Sequence, residues 1–121
     1  MAEEMEPNLL HNLRRAVSPG DVLTTLSQGK PNRVIDISPA GVLIETDESE
    51  KADKGPQLVP AWMLNLGWRH LCREHSVTNS HLLTVHNLRR SSAVCTLLGA
   101  LSDVEVASRR PIELRIREAS P

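Results

Sequence analysis

The chain has no phenylalanine and no tyrosine, and only two tryptophans, Trp62 and Trp68. A platform of exposed aromatic rings on which bases could stack is therefore excluded, and with it the usual single-strand and RNA-binding surfaces. Leucine, valine and isoleucine must fill the core instead. Cysteine is nearly as scarce. Cys72 and Cys95 lie far apart with no paired spacing, which predicts reduced thiols and a cytoplasmic setting. No long apolar run is present: the opening MAEEMEPN is acidic, so it reads neither as a signal peptide nor as a membrane span, and no membrane partner is expected.

Lysine is missing from the second half. Residues 1–60 carry ten Asp/Glu against six Lys/Arg, whereas residues 61–121 carry five against eight, and all eight are arginine. The guanidinium fork suits phosphates and base edges better than an ammonium does. This shift of charge between halves hints at nucleic acid in the second.

At 121 residues the length suits one domain. PNLLHNLRRAV (7–17) places Leu9, Leu10, Leu13 and Val17 on one face behind a proline suited to a first turn, which predicts an amphipathic helix ending at SPG. DVLTTL (21–26), NRVIDI (32–37) and GVLIET (41–46), punctuated by Gly29, Pro31, Pro39 and Gly41, predict an antiparallel meander, with QLV (57–59) a short fourth strand. The charged run DESEKADKG (47–55) predicts a mobile loop. The period then changes. AWMLNLGWRHLCREH (61–75) is a helix apolar on two sides, with Leu64, Trp68, Leu71 and Cys72 opposite Trp62, Leu66 and Arg69, as expected between two layers. VTNSHLLTV (77–85) predicts a short helix capped by Thr78. RSSAVCTLLGAL (90–101) buries Val94, Leu97, Leu98 and Leu101, and DVEVASRRPIELRIRE (103–118) predicts a two-stranded hairpin.

Helix, capped short helix, helix and hairpin follow the order of a winged helix-turn-helix. The predicted fold is thus α+β: an N-terminal amphipathic helix (1–17), a small antiparallel β-meander (18–60) and a winged helix-turn-helix (61–118) of three helices plus a C-terminal hairpin. In that arrangement the third helix turns outward the small residues Ser92, Cys95, Thr96 and Gly99. Ser91 and Ser92 aim free N–H groups of the first turn at a phosphate. Arg89 and Arg90 straddle a strand, Arg109 and Arg110 crown the wing, and Arg69 and Arg73 add phosphate contacts. The candidate DNA-binding set is therefore Arg69, Arg73, Arg89, Arg90, Ser91, Ser92, Thr96, Arg109 and Arg110, with double-stranded DNA as ligand. A face of Ser, Cys, Thr and Gly is also what a packed helix contact looks like. A protein-docking or dimerisation module of the same fold, without DNA binding, is the alternative.

Catalysis and metal binding find less support. His70, Cys72, His75, His81 and His86 lack the paired spacing of a four-ligand zinc shell. DESEKADKG lacks the ligand positions of a calcium loop. No serine or cysteine sits in a glycine elbow and no glycine loop cradles phosphate. No catalytic residue, no metal and no cofactor is expected, and the chain is not read as an enzyme.

Together TLSQGKPNRVIDISPAGVLIETDES, LVPAWMLNLGWRHL and RRSSAVCTLLGAL resemble accessory domains fused to actinobacterial HNH-type restriction endonucleases, over about residues 18–117. The resemblance implies a DNA-engaging specificity module in a restriction or regulatory setting. No residues here match the HNH ββα-metal arrangement, so the resemblance further implies a free-standing binding protein or the partner of a separately encoded nuclease; a homodimer is expected as the other partner.

Overall fold

The computed structural model describes residues 3–46 and 55–117. The expected loop at 47–55 lies, but for Gly55, outside the described residues. Helix α1 (Pro7–Ala16) starts at Pro7, whose missing N–H costs nothing in a first turn, and it buries Leu9 and Leu13. Val17 closes it with a backbone N–H to the Leu13 carbonyl, 2.8 Å, and the chain leaves in extended conformation. Strands β1 (Val22–Thr24), β2 (Pro31–Ser38), β3 (Gly41–Thr46) and β4 (Gln57–Pro60) form an antiparallel sheet in sequence order. Val34, Ile37, Val42, Ile44 and Val59 are buried, and the β2–β3 register shifts between Val34 and Asp36. Arg33 and Glu45, opposite one another on these strands, form an exposed ion pair.

The second half begins without a break. Pro60 ends β4 and caps α2 (Ala61–Glu74). Helix α2 packs on β3 and β4 on one side and on the later helix and strands on the other, as a helix apolar on two sides requires. His75 adopts a left-handed conformation, φ 65°, and terminates it. Strand β5 (Ser76–Thr78), helix α3 (Asn79–Thr84), helix α4 (Ser91–Gly99) and strands β6 (Val104–Arg109) and β7 (Ile112–Ile116) follow. Thr78 caps α3 as its sequence predicts, its hydroxyl accepting from the His81 N–H at 3.0 Å. β5 is not part of the predicted hairpin. It pairs with β7, Val77 opposite Leu114, giving a second antiparallel sheet of order β5–β7–β6.

The described residues thus form a mixed α+β fold of four helices and two antiparallel sheets. Buried side chains make one continuous cluster running from Met5 and Leu9 through Val34, Val59 and Leu64 to Val94 and Leu114. It draws on the N-terminal helix, the meander and the helical half alike. Gly67 of α2 sits where a Cβ would meet the side chains of Leu98 and Val94 at 3.0 and 3.1 Å, so α2 and α4 cross in close contact.

Candidate functional site

Helix α4 carries the sequence-predicted site, and its placement corrects one expectation. Val94, Leu97, Leu98 and Leu101 are buried as the periodicity predicts, but Cys95 and Thr96, expected on an outward face, are 0 % and 4 % exposed. Ser91 is buried as well. The cover comes from the protein itself. β1 and the turn after it lie against α4, and a Cβ on Gly99 would meet Leu26 at 3.5 Å and Val106 at 3.3 Å. Small residues do allow a backbone to come close, and here the partners are Val106 and Leu114 of the hairpin and Leu26 of the meander. Thr96 turns its hydroxyl back to the Ser92 carbonyl, 2.9 Å, which leaves it no proton to offer a base edge. Burial holds the Cys95 thiol up at about 12, so it stays protonated.

The arginines divide. Arg90 donates to the Gln57 side chain at 2.8 Å, and Arg110 donates through Nε to the Ser27 carbonyl at 2.6 Å. Both tie the helical half to the meander. Arg69 faces carboxylates: its Nε lies 2.5 Å from Glu6 and its Nη2 3.7 Å from Glu3, and the Glu6 hydrogen bond raises its pKa further. Arg73 is exposed beside its neighbour Glu74, at 3.3 Å. Arg89 and Arg109 are exposed, at the N-terminal approach to α4 and at the end of β6. Ser92 is half-buried. The set therefore does not converge on the outer face of α4.

What does converge is a cleft along the solvent side of α2. It encloses about 260 Å3 and is lined by Trp62, Leu66, Arg69, His70, Arg73 and His86, with Glu3 at its edge. Trp62 is 43 % exposed, and Leu83 and Val85, just before His86, are also exposed. The sequence puts Trp62, Leu66, Arg69 and Arg73 on one strip because they recur at helical spacing. His86 joins them from beyond α3.

Three histidines meet beside this cleft. Ring centroids lie 4.3 Å apart for His70 and His81, 5.0 Å for His81 and His86, and 6.5 Å for His70 and His86. His70 Nδ1 is 3.0 Å from the Ser76 carbonyl, which fixes the ring. Among the described residues, no group of three or more His, Cys, Asp or Glu is arranged to hold a metal ion. No helix there is long and apolar enough to cross a membrane.

The chain matches no family model, no curated protein and no solved structure. Its residues must carry the functional reading.

The His70 environment makes a pH prediction. Burial, and then the adjacent His81, lower its pKa from the usual value. Folding therefore disfavours the proton. The stability this contributes is fully present above the ordinary histidine range and is lost as pH falls from there through the lowered value. The urea midpoint should drop between pH 7.5 and 5.5, and His70→Gln should flatten that dependence. A midpoint that rises on acidification would show that the cluster favours the charged form.

Proposed function

We propose that this chain is a non-catalytic docking module of winged-helix type, which meets a protein partner through the α2–α3 side and does not insert α4 into duplex DNA. The winged-helix reading is supported by the order α2, β5, α3, α4, β6, β7 and by β5 lying against the second strand of the hairpin. The carrying observation is the enclosure of α4. A recognition helix needs an outward face of several side chains to reach base edges, and here Cys95 and Thr96 are buried, with Thr96 and Gly99 beside β1 of the meander. Undocking the meander would expose Leu26 and Thr96 together, at a cost DNA contacts would have to exceed. By contrast, Trp62, Leu83 and Val85 leave apolar surface in water beside arginine, a composition typical of protein interfaces.

One observation favours DNA as a second reading. The Arg110–Ser27 bond joins the hairpin tip to the β1–β2 turn, so exposed Arg109 and Arg110 share one end of the molecule with the turn that carries Lys30. Such an end could follow a phosphate backbone without reading bases.

Site-specific photocrosslinking separates the two in the cells that make the protein. A benzophenone amino acid replacing Trp62 should give protein adducts that disappear with Val85→Glu. The same group replacing Arg109 should give no nucleic-acid adduct. Nucleic-acid adducts from position 109, with none to protein from position 62, would reverse the assignment.

A further inference from the structure

A second groove, of about 270 Å3, shares no lining residue with the α2 cleft. Its floor is the small-residue surface of α4 at Thr96 and Gly99, and one wall is β1. Val22, Leu23 and Thr24, the whole of that strand, line it in succession. Side chains of a strand alternate between faces, so three consecutive residues meet one groove only where the strand presents its edge. β1 is the outermost strand of its sheet. The opposite wall holds Val106 and Arg109 of β6, the outermost strand of the other sheet.

The β1–β2 register fixes which main-chain groups that edge offers. Thr24 stands opposite Pro31, which has no N–H, and Val22 stands opposite Arg33. On either side, the Thr25 N–H reaches the Lys30 carbonyl at 2.9 Å and the Val34 N–H reaches the Asp21 carbonyl at 2.8 Å. The odd-numbered residues therefore bond to β2, and Val22 and Thr24 turn their N–H and C=O groups outward. Natural edge strands are blunted by lysine, proline or a bulge. Residues 22–24 have none of these, and the Val22 side chain stands 57 % exposed. Arg109 adds a charge. It is exposed, it is the one charged residue in the lining, and its side chain makes neither an ion pair nor a hydrogen bond among the described residues. No carboxylate lines the groove.

We propose that the β1 edge takes an extended segment of a partner protein as an added strand. The segment's main chain bonds to Val22 and Thr24, an apolar side chain enters the groove against Leu23 and Val106, and a carboxylate meets Arg109. Main-chain bonds supply the affinity, and the groove and guanidinium select the segment. A carboxylate meets a charge that folding leaves unpaired, whereas a basic segment would set two cations together. This edge is separate from the α2–α3 side, so either assignment can fail alone.

The test uses the full chain and a fluorescein-labelled peptide of alternating threonine and valine that ends in two glutamates, followed by anisotropy. Saturable binding in the micromolar range is expected. Val22→Pro removes one outward N–H at the first position of a strand, where proline is tolerated, and Arg109→Glu reverses the charge. Each should weaken binding about tenfold or more, with circular dichroism and urea midpoint close to those of the parent protein. The same peptide methylated on every amide nitrogen keeps its side chains but cannot donate to the edge, and should not bind. A counterpart ending in two lysines should bind about tenfold more weakly or worse. Absence of saturable binding, equal binding of the methylated peptide, or binding indifferent to both substitutions overturns the proposal. A dimer in sedimentation velocity that Val22→Pro dissolves would give the edge to a second copy of the chain and overturn it as well.

Discussion

Gly41→Ala should be among the most damaging single-methyl changes in this protein. Gly41 opens β3 with φ +142°, a backbone conformation that L side chains rarely adopt. A Cβ built there lies 2.1 Å from the Val59 carbonyl oxygen, 3.0 Å from the Ala61 nitrogen and 3.1 Å from the Pro60 Cα. All three are main-chain atoms at the junction of β4 and α2, so no rotamer change relieves the overlap. The alternative is to pull β3 and β4 apart where Gly41 pairs with Pro60 and the Ala61 N–H reaches the Ala40 carbonyl at 2.8 Å. Dihedral strain alone costs about 1–3 kcal/mol, and the separation adds lost hydrogen bonds and loosened packing of α2. A total loss of about 4 kcal/mol or more is expected, in the tail of single-substitution effects, which against a typical stability of about 5–15 kcal/mol leaves little margin. Gly20→Ala is the control. Gly20 also has positive φ, +97°, but nothing lies within 4 Å of its Cβ position, so only strain remains. Urea denaturation of both variants reads the difference. Equal losses would mean that the β4–α2 junction does not approach Gly41 as described.

The same junction explains what could be read from the sequence and what could not. Signals within a few residues were legible. Leu9 and Leu13 on one face, Pro7 at the start of α1, Gly41 at the start of β3 and Thr78 ahead of α3 all found their expected places, because each depends on local dihedrals or local hydrogen bonds. Strand β5 escaped notice because three residues show no period. Only its pairing with β7, far along the chain, makes Ser76–Thr78 a strand. The outer face of α4 failed for a related reason. Cys95, Thr96 and Gly99 are equally suited to a groove of DNA and to the protein's own interior, and the sequence does not say that Cys95 is buried or that β1 lies beside Thr96 and Gly99. The net positive charge of the second half likewise leaves out its partners. It counts Arg69, Arg90 and Arg110 as free charges, whereas folding engages them with Glu6, Gln57 and Ser27 from the first half.

The cleft shows the opposite case, a site whose signal was present but divided. Trp62, Leu66, Arg69 and Arg73 stood at helical spacing, and their strip was visible as the second face of an amphipathic helix. His81 and His86 belong to a different segment, and only the packing beside α2 brings their rings to His70. One clue in the N-terminal segment and one in α2 also pointed inward: a methionine within an acidic run, and an asparagine between apolar residues of a helix. Asn65 bonds the Glu4 carbonyl and the Glu6 N–H on either side of the buried Met5.

Asn65→Leu is expected to release that contact. Leucine is close in volume and favours helix more than asparagine does, so α2 itself should not suffer. The loss falls on the other side. The Glu6 N–H and the Glu4 carbonyl lose their partner beside the buried Met5, and the Glu3 carboxylate loses a donor. Leaving such groups unsatisfied where water has poor access costs about 1–3 kcal/mol each, so a net loss of about 2–4 kcal/mol is expected unless the segment detaches. Detachment is the more informative outcome. Residues 3–6 would then leave the surface as a unit, Met5 would become solvated, and Arg69 would lose Glu3 and Glu6. Hydrogen exchange distinguishes these outcomes: the Met5 and Glu6 amides should lose protection, while Val34 and Leu64 in the core keep theirs. Asn65→Asp sharpens the result. It keeps an acceptor for the Glu6 N–H but sets a second carboxylate against Glu3, so its segment should loosen at neutral pH and re-dock as the pair is protonated. Unchanged protection of Met5 and Glu6 in both variants would show that Arg69 and Met5 hold the segment without the buried amide.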